Sequence, residues 1–407
     1  MTLISPLKPA PPRWSEVLRE APAFPVILVT VAGHMALFGM LTPVMATHAQ
    51  SFGVPSWQIG LMITLFAAGR LAADLPAGVL AGRYGLRMLL VGGPLLCGLG
   101  GLIGGLATDY PTVLAGRTVQ GVGSGLYMTA ATIAVARMSS ASSRGKLMAM
   151  HQGAMLVGAA IGPSLGGWTA ALWGAEGPFL AGAAIGFATA LAAAVMMSEP
   201  HGDANRRGHG PVASLLRSAP FVAVLAVNFT TFLTRTVGHW QILPLMAVEQ
   251  FNSGPEDIGL ALTLSALGTF AVLPLAARLI ERTPRVPLIT LSLLASAACL
   301  GVVVAAPDMS TLMWGMVAMG AATGIAGPAV AAYAVEITDP ADHGPAMGAL
   351  RFAGDMGYLV GPLSFGFIMD LTGLSQSGGL ALNAALVAMA ALLFLAAHRG
   401  SSAPRYD

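Results

Sequence analysis

Apolar residues in this chain do not alternate with polar ones; they run. Stretches of about 20 residues, nearly free of charge, recur from end to end, and each is long enough as a helix to cross a hydrocarbon core of roughly 30 Å. Their limits predict twelve spans, at 22–46, 57–80, 86–107, 111–136, 147–171, 175–197, 218–247, 256–280, 286–305, 310–336, 345–369 and 376–397. The connections are short, except for the polar stretch 198–217, "SEPHGDANRRGHGPVASLLR", which sits midway. The pattern predicts an all-α integral membrane protein: a segment 1–21, a six-helix half 22–197, a linker 198–217, a second six-helix half 218–398 and a tail 399–407. The first 21 residues hold Pro6, Pro9, Pro11 and Pro12 with mixed charges and no apolar core, so no cleavable signal peptide is expected.

Composition agrees with the pattern. Only 9 % of the 407 residues are charged and 55 % are hydrophobic, whereas a soluble domain carries about 25 % charge. Cys97 and Cys299 fall inside spans and read as small packing residues. The net charge of +2 says little, but its placement does. Of 20 Lys and Arg, Arg70, Arg117, Arg235 and Arg351 lie within spans, and the rest fall on one side, in alternate connections and at both termini. That is the positive-inside asymmetry. It predicts an inner, cytoplasmic-type membrane with both termini cytoplasmic, and it leaves nucleic-acid binding without a basis.

The chain repeats itself. "QIGLMITLFAAG" (58–69) resembles "DIGLALTLSALG" (257–268), and 257 minus 58 is an offset of 199. At the same offset Arg83 maps to Arg282, Gly121 and Gly125 to Gly320 and Gly324, and Gly162-Pro163 to Gly361-Pro362. Parallel halves of this kind place a substrate site between them near the bilayer midplane, with rocking of one half against the other giving alternating access.

Three short motifs carry further information. "DLPAGVLAGRYGLR" (74–87) is a glycine-bearing turn in which Gly78, Gly82 and Gly85 let two helices reverse, with Arg83 and Arg87 facing anionic lipid. "RTVQGVGSGLY" (117–127) has Gly121 and Gly125 on one face, which lets a neighbouring helix approach closely. "GAAIGPSLGG" (158–167) puts Gly158, Gly162 and Gly166 on one face, and Pro163 can bend the helix. Together they resemble the signature motifs of the major facilitator superfamily. Asp74, Pro76, Gly78, Arg83, Gly85 and Arg87 match its first loop, with Gly82 where that family usually has an Asp that latches the halves together. Arg117, Gln120, Gly121 and Gly123 match its span 4 motif, whose arginine the resemblance associates with proton coupling. Gly158, Gly162, Pro163, Gly166 and Gly167 match the span 5 pattern of its exporters. The resemblance covers essentially the whole chain and implies the drug and metabolite:proton antiporter branch.

Span 11 contains "RFAGDMGYLVGP" (351–362). Arg351 and Asp355 lie on one helix face, with Asp355 roughly 15 Å from the cytoplasmic end. A charge at that depth needs a partner or water. Asp355 is either a proton-binding carboxylate held by Arg351 or half of a fixed ion pair. Arg117 is either coupled to the proton site or snorkels outward. Asp355, Arg351 and Arg117 are the candidates for proton coupling; Arg70, Arg235, His239, Trp240, Gln241 and His34 are those for substrate contact. Asp74 is one turn from Arg70 and can neutralise it, and Trp240 can equally sit in an aromatic belt. Four intramembrane arginines face two clear acids, Asp74 and Asp355, and span 1 has no acid. That favours a neutral or anionic substrate over a lipophilic cation.

No HExxH, CxxC or Ser-His-Asp arrangement marks an enzyme, and no Walker A loop binds ATP. No cofactor or metal is expected. The sequence therefore predicts a monomeric transporter whose partners are a small molecule and the lipid bilayer, and the resemblance implies export in exchange for protons. The alternative is a proton-coupled importer, a symporter, of an anionic metabolite.

Overall fold

The computed structural model describes residues 23–139, 143–197, 212–339 and 342–399. Among the described residues twelve long helices follow one another: α1 Phe24–Leu41, α2 Ser56–Tyr84, α3 Leu86–Gly105, α4 Tyr110–Met138, α5 Arg144–Trp173, α6 Gly177–Met196, α7 Ala219–Phe251, α8 Pro255–Arg282, α9 Arg285–Val304, α10 Met309–Glu336, α11 His343–Thr372 and α12 Gln376–Arg399. A short helix, Met45–Gln50, links α1 to α2, and a turn of 3-10 helix, Val212–Arg217, precedes α7. There is no strand among the described residues. The segment 1–21, most of the linker and the tail beyond residue 399 lie outside the described residues.

Ten of these helices are long and apolar enough to cross a bilayer, and α2, bent by 49° between Asp74 and Pro76, makes an eleventh. Helix α11 is long enough but less apolar, because Arg351, Asp355 and several glycines dilute it. The expected turn at 74–87 is mostly helix. Pro76 lacks an N–H and kinks α2 without ending it, and the helix continues to Tyr84. The reversal into α3 is Gly85 alone, at φ +85°; Gly78 is exposed, and a methyl group there would meet open space.

Helix α7 is α-helical over Ala219–Thr234 and Leu243–Phe251 but π-helical over Arg235–Ile242. The wider turn re-aims the side chains that follow it.

Each half repeats one contact plan. The first helix packs on the fifth (α1 on α5, α7 on α11), the second on the fourth (α2 on α4, α8 on α10), and the third lies between the fourth and sixth. In lipid, apolar burial drives helix pairing little, so close backbone approach matters more. A methyl group at Gly158 would fall 2.0 Å from the Ala32 carbonyl oxygen, one at Gly162 2.6 Å from that of Ala36, and one at Gly166 1.9 Å from that of Met40. Gly121 meets the Phe66 carbonyl on α2 in the same way, and its repeat mate Gly320 meets that of Ser265 on α8.

The halves meet along two seams, α2 with α11 and α5 with α8. The seams are copies of each other. Thr64 donates to the Leu359 carbonyl at 2.8 Å, and Thr263 donates to that of Ala160 at 2.9 Å. Gly60 abuts the Pro362 carbonyl and Gly259 that of Pro163. These contacts lie toward the end of the molecule opposite the basic one, where Arg83, Arg137 and Arg282 occupy the last turns of α2, α4 and α8. At the opposite end Asp109 and Asp308 cap α4 and α10, accepting from the N–H of Thr112 and Thr311 at 2.8 and 2.7 Å.

Candidate functional site

Roughly 15 Å into the bundle from the basic end, four charged side chains meet on the α2–α11 seam. Asp74 Oδ2 lies 3.8 Å from Arg70 Nε and 3.6 Å from Arg351 Nη2, and Arg351 Nε lies 3.9 Å from Asp355 Oδ2. Thr129 of α4 donates to Asp74 Oδ1 at 2.7 Å. Both acid side chains are 15 % exposed and Arg351 is 50 % exposed. The quartet balances two positive charges with two negative ones. Asp74–Arg351 is the one ion pair joining the halves among the described residues. The sequence reading placed Asp74 beside Arg70 but missed its bond to Arg351. Gly82 carries no acid, so the Asp74 carboxylate is what ties α2 to α11 on this side.

Arg117 makes no ion pair with the quartet, although its stretch of α4 packs on the stretch of α2 that carries Arg70, where Gly69 abuts the Thr118 carbonyl. It does not snorkel: it is 2 % exposed, its guanidinium stacks 4.5 Å over the Phe66 ring, and Nη1 donates to Gln120 Oε1 at 2.7 Å. Its Nε has no partner and no carboxylate reaches it. A direct contact between Arg117 and Asp355 is therefore not part of this arrangement.

The substrate candidates divide. His34 is 1 % exposed, bonded to Ser124 Oγ at 3.2 Å and packed on Phe38 and Tyr127; it is a packing residue between α1 and α4. The π-helical turn of α7 carries the other group. Arg235 is exposed and pairs with no carboxylate among the described residues, and His239 has an unpartnered Nε2. The Trp240 ring stacks on Tyr358, 5.4 Å away, and Tyr358 meets Phe232 edge-on at 5.1 Å. Tyr358 is one helical turn beyond Asp355, so the ring platform adjoins the charge quartet. Sequence reading missed Tyr358 because an aromatic residue in an apolar run has no distinguishing neighbour. Gln241 reaches across the seam, its Nε2 3.4 Å from the Ser56 carbonyl.

The remaining motif residues sit in contacts between helices. Gly158, Gly162 and Gly166 hold α5 against α1, Pro163 and Pro362 present carbonyls to Gly259 and Gly60 in the two seams, and Gly361 packs on Leu233 of α7. Arg83 stacks over Tyr84, and Arg87 donates to the Ala194 carbonyl at 2.6 Å, tying α3 to α6. Cavities of about 400 and 570 Å³ lie at the opposite and basic ends, and neither is lined by a member of the quartet.

The model of the Major Facilitator Superfamily matches residues 27–246 and 224–405. The chain is 27 % identical to the 3-(3-hydroxy-phenyl)propionate transporter of Escherichia coli over 88 % of its length and 90 % of that protein. It is 22 % identical to the quinolone resistance protein NorA of Staphylococcus aureus over 82 % of its length and 86 % of that protein. Its fold superposes on a bacterial homologue of the human lysosomal transporter Spinster, in an inward-facing and occupied conformation, with TM-score 0.80 at 15 % identity, covering 96 % of this chain and 99 % of that one. With twelve helices in two repeated halves and the family match running through both, the chain belongs to the Major Facilitator Superfamily and is a membrane transporter, not an enzyme.

Proposed function

We propose that the protein exports a small neutral or anionic organic molecule by alternating access, in exchange for protons, as a monomer in a cytoplasmic-type membrane with both termini inside. The observation that carries this reading is the quartet on the α2–α11 seam. With Asp355 ionised the quartet is neutral; a proton on Asp355 leaves it with one net positive charge and frees Arg351 from one of its two carboxylates. The same arginine holds Asp74 of the other half, so proton occupancy and contact between halves act through one side chain.

Asp74 and Asp355 are already engaged by arginines, so neither is free for a cationic substrate. Arg235 and the ring platform of Phe232, Tyr358 and Trp240 remain for an anionic or neutral one. Export is supported by the α5 glycine pattern and by the similarity to NorA, a quinolone resistance protein. A second reading, proton symport of an anionic metabolite into the cell, is favoured by the similarity to the 3-(3-hydroxy-phenyl)propionate transporter.

The test has two steps. Thermal stabilisation of purified protein by anionic, neutral and cationic compounds identifies a ligand. Proteoliposomes with an imposed pH gradient then report direction. Substrate movement opposite to proton movement supports export by antiport; movement with the protons selects the symporter; movement indifferent to the gradient removes proton coupling.

A further inference from the structure

At the end opposite the basic residues the two seams part company. On the α2–α11 side, both oxygens of Asp370, in the last turn of α11, accept backbone N–H groups from the start of α2 in the other half: Oδ1 from Ser56 at 3.2 Å and Oδ2 from Trp57 at 2.9 Å. The first N–H groups of a helix lack intrahelical partners and carry partial positive charge. A carboxylate there makes charge-assisted bonds, roughly twice as strong as neutral ones. Pro55 precedes the helix and no side chain of its own half caps it.

The surrounding contacts serve the same end. Trp57 lies parallel to Phe367, with ring centres 5.2 Å apart and planes 8° apart. Gly366 leaves room for the Trp57 backbone: a methyl group there would fall 2.5 Å from the Trp57 Cα. Gln241 from α7 reaches the Ser56 carbonyl. The first residue of α2 is thus held at both its N–H and its carbonyl by the opposite half.

The carboxylate cap is one-sided, although the close approach is not: a methyl group at Gly167, the repeat mate of Gly366, would fall 2.9 Å from the Glu256 Cα. Adding 199 to Ser56 gives Pro255, which has no N–H to offer, and subtracting 199 from Asp370 gives Ala171, which has no carboxylate. In the region corresponding to the capped helix, the α5–α8 side holds the cavity of about 400 Å³ lined by Val44, Ala170, Val248, Pro255 and Ile258.

We propose that Asp370 is a positioning residue of the transport cycle: its carboxylate caps α2 across the seam and holds this end of the transporter closed, and the cap breaks each time that end opens. Opening then starts from the uncapped α5–α8 side and is completed when Asp370 releases Ser56 and Trp57. The proposal concerns closure alone and does not depend on substrate, direction or coupling ion.

The test uses the full chain in membrane vesicles with Cys97 and Cys299 replaced by alanine and a reporter, Thr64→Cys, at a buried position of α2 that faces the Leu359 carbonyl across the same seam. A membrane-impermeant maleimide is applied from the side opposite the basic ends, without substrate. Asp370→Ala is expected to speed labelling about tenfold or more, as loss of a bond to a charged group implies; Asp370→Asn, which keeps shape without charge, speeds it less; Asp370→Glu restores the slow rate. If Asp370→Ala does not reach the membrane, the asparagine and glutamate variants decide. Equal labelling in the parent and every variant that reaches the membrane overturns the proposal, as does acceleration that glutamate fails to reverse.

Discussion

Asp74 Oδ2 lies 3.6 Å from Arg351 Nη2, and this pair crosses from one half of the molecule to the other. Asp74 is anchored behind by Thr129, and Arg351 is shared with Asp355. Asp74→Asn and Arg351→Gln are each expected to cut transport at least tenfold. In a double-mutant cycle on thermal stability the two are expected to couple by only about 0.5–1 kcal/mol, because half-exposed Arg351 is screened by water. Strict additivity in both stability and transport would show that the pair does not link the halves.

Asp355→Asn keeps size and hydrogen bonding but fixes the charge. Gradient-driven transport is expected to fall to background, while substrate-driven exchange without a pH gradient persists. Counterflow of labelled substrate in proteoliposomes measures the second, and normal gradient-driven movement in the variant would remove Asp355 from the mechanism.

Arg117 is buried against Phe66 and Gln120 without a carboxylate. Its removal exposes a void and unpairs Gln120, so Arg117→Ala is expected to lower maximal transport rate at least tenfold with folded protein still in the membrane. A change confined to apparent affinity would assign Arg117 to substrate binding instead.

The seam glycines test closure. Valine at Gly60 or Gly259 would drive a methyl group to within 2.2 or 2.4 Å of the facing carbonyl oxygen. Either variant is expected to abolish transport and to favour the state open at the end opposite the basic residues, read by maleimide labelling. Gly78→Ala, in open space on an exposed stretch of helix, is expected to leave transport intact and to gain about 0.5–1 kcal/mol of stability.

Asp308 lies outside the bilayer at the start of α10, and the Thr311 backbone N–H holds its carboxyl below the usual carboxylate range. A depressed native value means the stabilisation is complete above the unfolded carboxylate range, about pH 3.9, and is lost as pH falls through the native value. Asp308→Asn is expected to flatten this part of the profile, with Tm lowered above about pH 4 and parent and variant converging at lower pH, measured as Tm against pH in detergent.

The fold was legible because its signals are one-dimensional. Apolar run lengths located the helices, and glycines such as Gly121 and Gly320 stood at one offset because each faces a neighbour's carbonyl. The stretch 74–87 read as a turn, but whether a proline ends a helix or bends it depends on what supports the far side, and α2 continues past Pro76 to Tyr84. The site was legible in part. Arg351 and Asp355 announced themselves by spacing along one helix, whereas Asp74–Arg351 and Asp370–Trp57 join residues on different helices through tertiary geometry that no local pattern encodes.

The twin threonine bonds, Thr64 to Leu359 and Thr263 to Ala160, have a consequence for how such a molecule changes over generations. Each stitch has a counterpart 199 residues away. Losing one threonine hydroxyl therefore leaves its mate in place and loosens the molecule on one flank only. Altering both positions together offers an engineer a graded way to tune the rhythm of opening without touching the charge quartet.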